Sequence, residues 1–360
     1  KINNNKNFYV QVLNTERSWH YNHVEAKNYS APVLIENGKI ENTKSLYSLD
    51  GFVSIDDSKG RIVESDGTIK ENNYGGIDIY LFVYLNDFDL CLKDYYNLTG
   101  YPSLIPRFAL GNWWSRNVEY NDTSLKELVD NFSSNKIPVS IVLLDKDWHI
   151  RTFKDKKHLK TGFTFNKELF KAPYEMISYL HSKGIRVGLN INPTEGFYDI
   201  DEYYEQAKKY LVPDENGVIP YNVLDPKWID VYLKIYIHPL DALGVDFYWL
   251  DFYDHKNIDQ DYLLKHYQFY DMERNYKRRP MVLGYSSNLA QHRYPVLYAG
   301  KTVVSWESLK QIPKYNASAT NLGVTWWSHD IGGYFKGIED NELYTRYVQL
   351  GTFSPIFKFG

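Results

Sequence analysis

The sequence has one cysteine, Cys91, in 360 residues, so no disulfide can form within the chain. So little cysteine is typical of proteins from a reducing compartment, and we therefore expect a cytoplasmic protein. No apolar run reaches about 18 residues, the length that a membrane-spanning helix requires. The net charge is −4 and no block of basic residues is present, so the charge pattern of nucleic-acid binding is missing. We expect neither a membrane nor a nucleic acid as a partner.

Ligand motifs of several common kinds are missing too. There is no His-x-His or Cys/His cluster with the spacing of a metal site, and no glycine-rich phosphate loop. We therefore predict no metal and no cofactor. The sequence begins with Lys1 and has no signal-like segment, so we expect it to be a piece of a longer protein.

Aromatic residues, in contrast, make up 17% of the chain. Seven of the nine tryptophans lie within a few residues of predicted strands: Trp113, Trp114, Trp148, Trp249, Trp306, Trp326 and Trp327. Aromatic faces stack on the apolar faces of sugar rings. The tryptophans therefore favour a carbohydrate over other small ligands.

The most informative stretch is 244–254, an apolar and aromatic run that contains Asp246 and Asp251. Short runs of this kind are typical of buried parallel strands. Burying a carboxylate costs several kcal/mol unless it is paired or hydrogen-bonded. Asp251, at the carboxyl end of the strand, is therefore either a structural hydrogen-bonding group or a catalytic one. The residues alone leave both readings open.

Residues 1–102 are predicted to form a partial, β-rich module. Residues 1–45 are polar, 46–57 and 77–84 have strand patterns, and 85–98 have helical spacing. The Gly100-Tyr-Pro102 sequence then marks a boundary.

From residue 103 the pattern alternates between strand and helix. Strands are predicted at 105–114, 139–145, 186–192, 245–252, 281–285, 302–306, 324–328 and 354–359. Helices are predicted at 123–135, 174–183, 226–240, 262–275, 311–321 and 340–350. Asp122 or Thr123 is the expected N-cap of the first helix, and Asp225 of the third. The alternation predicts an α/β fold, a (β/α)8 TIM barrel over 103–360 that ends at the eighth strand.

Six segments, in collinear order, resemble glycoside hydrolase family 31, the retaining α-glucosidases and α-xylosidases. They are Pro106-Arg-Phe-Ala-Leu-Gly-Asn-Trp-Trp-Ser115, Leu144-Asp-Lys-Asp-Trp-His149, Tyr248-Trp-Leu-Asp-Phe252, His292-Arg-Tyr-Pro295, Ser305-Trp-Glu-Ser-Leu309 and Trp326-Trp-Ser-His-Asp-Ile-Gly-Gly-Tyr334. The resemblance implies a TIM barrel preceded by the end of an N-terminal β-sandwich. It also implies an oligosaccharide or another α-glycoside as substrate.

The resemblance assigns roles to particular positions. Asp251 matches the catalytic nucleophile, Asp145 a carboxylate that binds sugar hydroxyls, and Trp249 a wall of the sugar pocket. The seventh-strand motif implies that three further residues shape the same pocket: Trp327, His329 and Asp330. For Asp330, a structural role as a buried carboxylate is at least as well supported as substrate contact.

Three positions depart from the family pattern. The general acid/base, an aspartate in the family, is Lys301 here; a sugar-binding arginine is Tyr285; and a sugar-binding histidine is Gly360. A lysine has an ordinary pKa of about 10.4, so proton shuttling near pH 7 would require a depression of about three units. A neighbouring Asp251 carboxylate would oppose that depression.

Two hypotheses follow. The first is a retaining α-glycosidase whose activity is impaired by Lys301, or redirected to an anionic sugar that pairs with it. The second is a catalytically degenerate homologue that binds carbohydrate or has a structural role.

Overall fold

The structure, a computed structural model, describes residues 88–154, 156–252, 260–274, 278–285, 290–321 and 323–360, together with seven short strands before residue 83. These strands are β1 (Phe8–Gln11), β2 (Pro32–Ile35), β3 (Tyr47–Ser48), β4 (Phe52–Ile55), β5 (Ile62–Val63), β6 (Ile69–Lys70) and β7 (Ile79–Phe82). They pair antiparallel in the orders β2-β1-β3, β4-β7 and β5-β6. Of the predicted helical stretch 85–98, residues 88–98 are described and lie in a helix, Phe88–Thr99, whereas the parts of 1–87 outside the seven strands are not among the described residues. The boundary at residue 102 stays a prediction.

Eight parallel strands form the central sheet. They are β8 (Asn112–Trp114), β9 (Ile141–Leu144), β12 (Arg186–Ile191), β13 (Phe247–Leu250), β14 (Val282–Tyr285), β15 (Leu297–Tyr298), β16 (Trp327–Ser328) and β17 (Phe357–Phe359). Their order is β16-β15-β14-β13-β12-β9-β8-β17. A parallel bridge between Ile331 and Phe359 joins the two ends of this sheet. The predicted (β/α)8 barrel is thereby confirmed. A small hairpin, β10 (Thr152–Phe153) and β11 (Lys156–Lys157), lies in the loop after β9.

The helices cover the outside of the barrel. They are α1 (Phe88–Thr99), α2 (Asp122–Ser134), α3 (Pro173–Ser182), α4 (Tyr204–Ala207), α5 (Pro226–Val231), α6 (His238–Leu243), α7 (Gln260–Asp271), α8 (Trp306–Asn321) and α9 (Asn341–Gly351). A π-helical segment, Tyr232–Ile237, connects α5 and α6. No helix in the described part of the chain is long and apolar enough to cross a membrane.

Helix caps explain where two helices begin. The side chain of Asp225 accepts a hydrogen bond from the N–H of Lys227, which confirms the predicted cap of α5. The cap of α2 was predicted at the wrong residue. It is Asn121, whose side chain accepts from two backbone N–H groups, whereas Asp122 lies inside the first turn.

The predicted sixth strand is wrong. It was expected at 302–306, but the barrel strand is β15, and Val303 makes only an isolated bridge with Phe335. The helix α8 already begins at Trp306, the last residue of the range predicted as strand. The first strand is also shorter than predicted, because Arg107–Leu110 forms a 3-10 turn after Pro106.

The barrel interior is filled by large side chains. Trp113 and Trp249 belong to this interior and are 0% exposed. Trp148, which is 1% exposed, packs instead against Phe165 in the loop after β9. None of these three rings has an exposed face in this structure, and the role of Trp249 as a wall of a sugar pocket stays a prediction. Gly188 leaves room for this packing, because a Cβ there would lie 2.4 Å from the ring of Phe247 on the adjacent strand.

Candidate active site

Asp251 follows β13 at the carboxyl end of the barrel. Its N–H donates to the carbonyl of Ile191 at the end of β12, which extends the strand pairing by one residue. The residue is 5% exposed. Asp251 therefore lies on the face of the barrel that carries active sites in this fold.

Both carboxylate oxygens of Asp251 accept hydrogen bonds. Oδ1 accepts from the Tyr285 hydroxyl at 2.7 Å. Oδ2 accepts from the Asn190 amide at 3.1 Å, lies 2.9 Å from Nζ of Lys301, and lies 3.1 Å from Nζ of Lys146. Burial alone would raise the pKa of Asp251, but the two ammonium groups and the hydroxyl outweigh it and hold the pKa well below its usual range. The carboxylate is therefore ionised and paired with two cations.

Lys301 lies three residues after β15 and is 15% exposed at its side chain. Its Nζ lies 5.1 Å from the ring centre of Trp249 and 4.8 Å from that of Tyr334. Burial would lower the pKa of Lys301, but the carboxylates of Asp251 and Asp145 raise it above its ordinary value. Lys301 is therefore a protonated ammonium at neutral pH.

Asp145 directly follows β9 and is 7% exposed. Oδ1 accepts from the N–H of Lys146 at 2.8 Å and from the Asn190 amide at 2.7 Å, and Oδ2 accepts from the Tyr334 hydroxyl at 2.5 Å. The same Nδ2 atom of Asn190 donates to both Asp145 and Asp251. The fold therefore brings these two carboxylates to opposite sides of one amide nitrogen.

A second buried ion pair lies beneath this cluster. The carboxylate of Asp330 binds Nζ of Lys358 and accepts from the Tyr298 hydroxyl, and both members of the ion pair are 0% exposed at their side chains. Nζ of Lys358 also lies 5.3 Å from the ring centre of Trp249. The Trp249 ring is thus contacted by two ammonium groups, those of Lys301 and Lys358.

Two residues of the seventh-strand motif have other surroundings. Trp327 packs with Leu297 and with Tyr315 of α8, so its side chain faces the outer helix layer and does not join the Asp251 cluster. The prediction that Trp327 shapes the sugar pocket does not fit this placement. His329 is buried, and its Nε2 lies 2.9 Å from Oγ of Ser354. Burial lowers the pKa of His329 to about 4, so the ring is neutral at pH 7.

Two departures from the family pattern have local explanations. Tyr285 donates to the carboxylate of Asp251, where the family pattern has a residue that contacts sugar. Gly360 lies against Asp330, and a Cβ at residue 360 would be 2.5 Å from the Cβ of Asp330. A larger side chain would therefore require the Asp330 region to move.

Four residues of the cluster were missed by the sequence analysis: Lys146, Asn190, Tyr334 and Lys358. A signal existed for two of them, because Asn190 and Lys358 are polar residues flanked by apolar residues within strands. Lys146 lies between two aspartates, a position that is equally typical of an exposed turn.

A separate cleft of about 640 Å³ lies between the loops after β9 and β12. Its lining includes Arg151, Thr164, Asn166, Glu168 and Glu202, and none of the residues that contact Asp251. In the described part of the chain, no group of three or more His, Cys, Asp or Glu residues could hold a metal ion.

Residues 102–359 match the sequence profile of the TIM-barrel domain of glycosyl hydrolases family 31. The chain belongs to glycoside hydrolase family 31. An α-xylosidase of Saccharolobus solfataricus is 25% identical, with 78% of this chain and 41% of that protein covered. An α-glucosidase of Bacillus thermoamyloliquefaciens is 25% identical, with 79% and 40% covered. The chain thus spans less than half the length of these relatives.

Solved structures share the fold. An α-xylosidase of the same family from a soil metagenome, complexed with xylose, has a TM-score of 0.70 and 18% identity, with 98% of this chain and 56% of that chain covered. The cycloalternan-degrading enzyme of Trueperella pyogenes, in complex with a covalent intermediate, has a TM-score of 0.68 and 16% identity, with 88% and 51% covered.

Proposed function

We propose that this chain forms the barrel of a retaining α-glycosidase in which Asp251 is the nucleophile and Lys301 impairs turnover. The relatives named α-xylosidase and α-glucosidase support α-linked xylosides and glucosides as the substrate class. The position of Asp251 at the end of the fourth barrel strand, ionised and buried, supports its role as the attacking group.

The 2.9 Å contact between Nζ of Lys301 and Oδ2 of Asp251 is the observation that supports impaired turnover. A retaining enzyme requires a second carboxyl group, about 5–5.5 Å from the nucleophile, that gives a proton to the leaving group and later removes one from water. An ammonium whose pKa is raised above its ordinary value holds its proton too tightly for the first role. It also has no lone pair for the second role. Loss of such a group typically costs about 10²–10⁴ in rate.

Asp145 and Trp249 supply the remaining features of the proposed pocket. Asp145 lies beside the nucleophile, where a carboxylate can accept hydrogen bonds from sugar hydroxyls once Tyr334 gives way. Trp249 forms the floor beneath Lys301. We place substrate contact at Asp145, with Trp249 supporting the lysine above it.

A leaving-group series tests this function. We expect the protein that contains this chain to cleave p-nitrophenyl α-xyloside or α-glucoside slowly, and the corresponding methyl glycosides at least 100-fold more slowly, since methanol leaves poorly without a proton. Asp251→Asn is the control and should abolish both reactions. Equal rates with aryl and methyl glycosides would show that an efficient acid is present.

The second candidate is carbohydrate binding without turnover. It is favoured by the pairing of Asp251 with two ammonium groups, which weakens the carboxylate as a nucleophile. Calorimetric binding of xylose, glucose or isomaltose in the absence of any hydrolysis would support it. Loss of that binding in Asp145→Ala would locate the sugar at this site.

A further inference from the structure

Lys146 contacts the same oxygen of Asp251 as Lys301 does, but from a different strand. Lys146 lies in the turn that follows β9, and its Nζ is 3.1 Å from Oδ2. Its side chain is 22% exposed, so the ammonium group is partly removed from solvent. Two lysines from separate parts of the barrel therefore converge on one carboxylate oxygen.

The hydrogen-bonding capacity of that oxygen is exceeded. A carboxylate oxygen has about two lone-pair sites. Oδ2 has three donor groups around it, from Asn190, Lys146 and Lys301, while Oδ1 accepts from Tyr285. Oδ2 therefore cannot attack a sugar without leaving a donor.

The charges of the two lysines also hinder the attack of Asp251 on a sugar. Two ammonium groups face the Asp251 carboxylate, and the neighbouring Asp145 carboxylate, which shares the Asn190 amide with it, balances the second positive charge. The transition state of glycoside cleavage resembles an oxocarbenium ion and is itself positively charged. An ammonium group in contact with Asp251 repels that developing charge, and it therefore raises the barrier in addition to occupying the nucleophile.

We propose that Lys146 is a second positioning residue for Asp251, which holds Oδ2 and restrains its attack independently of Lys301. This inference rests on the proposed role of Asp251 as nucleophile. It implies that replacing Lys301 alone leaves the carboxylate paired with a cation, and that both lysines must be removed before the nucleophile reacts at its full rate.

Covalent labelling tests this restraint without requiring a general acid. A 5-fluoro-α-xylosyl or 5-fluoro-α-glucosyl fluoride reacts by attack of an Asp251 oxygen on the anomeric carbon. A carbon–oxygen ester bond forms, the carbon–fluorine bond breaks, and fluoride leaves with the electron pair. The rate is followed by intact-protein mass, and the ester is assigned to Asp251 by peptide mapping.

We expect Lys146→Met to be labelled about tenfold faster than the wild type, and Lys146→Met/Lys301→Met faster than either single variant. Lys146→Arg should match the wild type within about twofold, since it restores the cation. Lys234→Met is the matched control, because Lys234 pairs with Asp230 on the exposed surface of the outer helices. Lys146→Gln, which removes the charge but keeps a polar side chain, serves if Lys146→Met does not fold.

The outcomes distinguish the proposed restraint by Lys146 from the proposed role of Asp251 as nucleophile. If Lys301→Met is labelled faster while Lys146→Met and Lys146→Gln, folded to the wild-type melting temperature, are labelled like Lys234→Met, the inference on Lys146 is overturned and the proposed function stands. If no variant is labelled at Asp251, including the double variant, the proposed nucleophile is overturned and the inference with it.

Discussion

The buried pair of Asp330 and Lys358 gives the sharpest stability prediction. Both side chains are 0% exposed, and the pair lies between the end of β16 and β17, where the barrel closes. Lys358→Met leaves the Asp330 carboxylate buried without its cation. Removal of one member of a buried pair typically costs about 3–5 kcal/mol, because the remaining charge is uncompensated.

The double variant Asp330→Asn/Lys358→Met should recover most of that loss. Asparagine keeps an oxygen for the Tyr298 hydroxyl and has no charge to compensate. We expect the double variant to lie within about 1–2 kcal/mol of the wild type, so the coupling free energy between the two positions should exceed about 2 kcal/mol.

Thermal and urea unfolding of Asp330→Asn, Lys358→Met and the double variant measures this coupling. For a barrel of this size, each kcal/mol shifts the melting temperature by about 2 °C, so Lys358→Met should melt about 6–10 °C below the wild type. Lys234→Met removes one member of an exposed pair and should change stability by no more than about 1 kcal/mol. Equal melting temperatures for Lys358→Met and the double variant would refute the reasoning, because the charge of Asp330 would then not be the source of the loss.

Three further predictions concern pH and packing. Burial raises the pKa of Asp201 to about 6, so ionisation of this carboxyl group lowers the stability of the protein as the pH rises through that value. Asp201→Asn should therefore stabilise the protein by about 3 kcal/mol at pH 8 and by little at pH 4. Equal effects at both pH values in urea unfolding would contradict this. Burial lowers the pKa of His329 to about 4, so the stability that this residue contributes is present above pH 6.5 and is lost as the pH falls towards 4. Between pH 6.5 and pH 4, the melting temperature of His329→Gln should therefore fall less than that of the wild type. Gly188→Ala should cost about 1–3 kcal/mol in urea unfolding because its Cβ would overlap the Phe247 ring, and a neutral result would show that this ring can move.

Much of the fold could be predicted from the sequence because strands of this barrel are apolar and bounded by caps and turns. The strand before Asp251 and the one before Asp145 were both recognised for this reason. The sixth strand was misplaced because β15 has only two residues, too few for any periodicity to be visible. A two-residue strand is recognised through its partners, and these are far away in the chain.

Site residues at the ends of strands could be predicted from the sequence. Residues whose place in the site depends on an ion pair could not. Asp145 and Asp251 directly follow barrel strands, and the fold brings them together. Lys301 was found through the family pattern, since the predicted strand at 302–306 placed it before a strand and not after one. Lys146 and Lys358 were missed because an isolated lysine in a sequence usually indicates a solvated side chain. Which lysines are buried depends on the carboxylates that the folded chain places beside them.

The direction of the tryptophan rings likewise depends on the folded structure. Their position near strand ends suggested sugar stacking, but Trp113 and Trp249 fill the interior of the barrel. A sequence shows that a large aromatic residue is near the site, whereas the direction of its ring depends on the pleat of strands that are only a few residues long.

Lys301→Asp tests the central claim most directly. The substitution places a second carboxyl group near Asp251, and like charges at this distance raise the pKa of one member towards that of a general acid. We predict that kcat/KM for α-glycosides with poor leaving groups rises at least tenfold, with a smaller change for p-nitrophenyl glycosides, and that Lys146→Met increases it further. The account would be contradicted if the wild type already hydrolyses a sugar substrate efficiently and Lys301→Asp abolishes that activity. Lys301 would then be a working residue, and an anionic sugar would become the better candidate substrate.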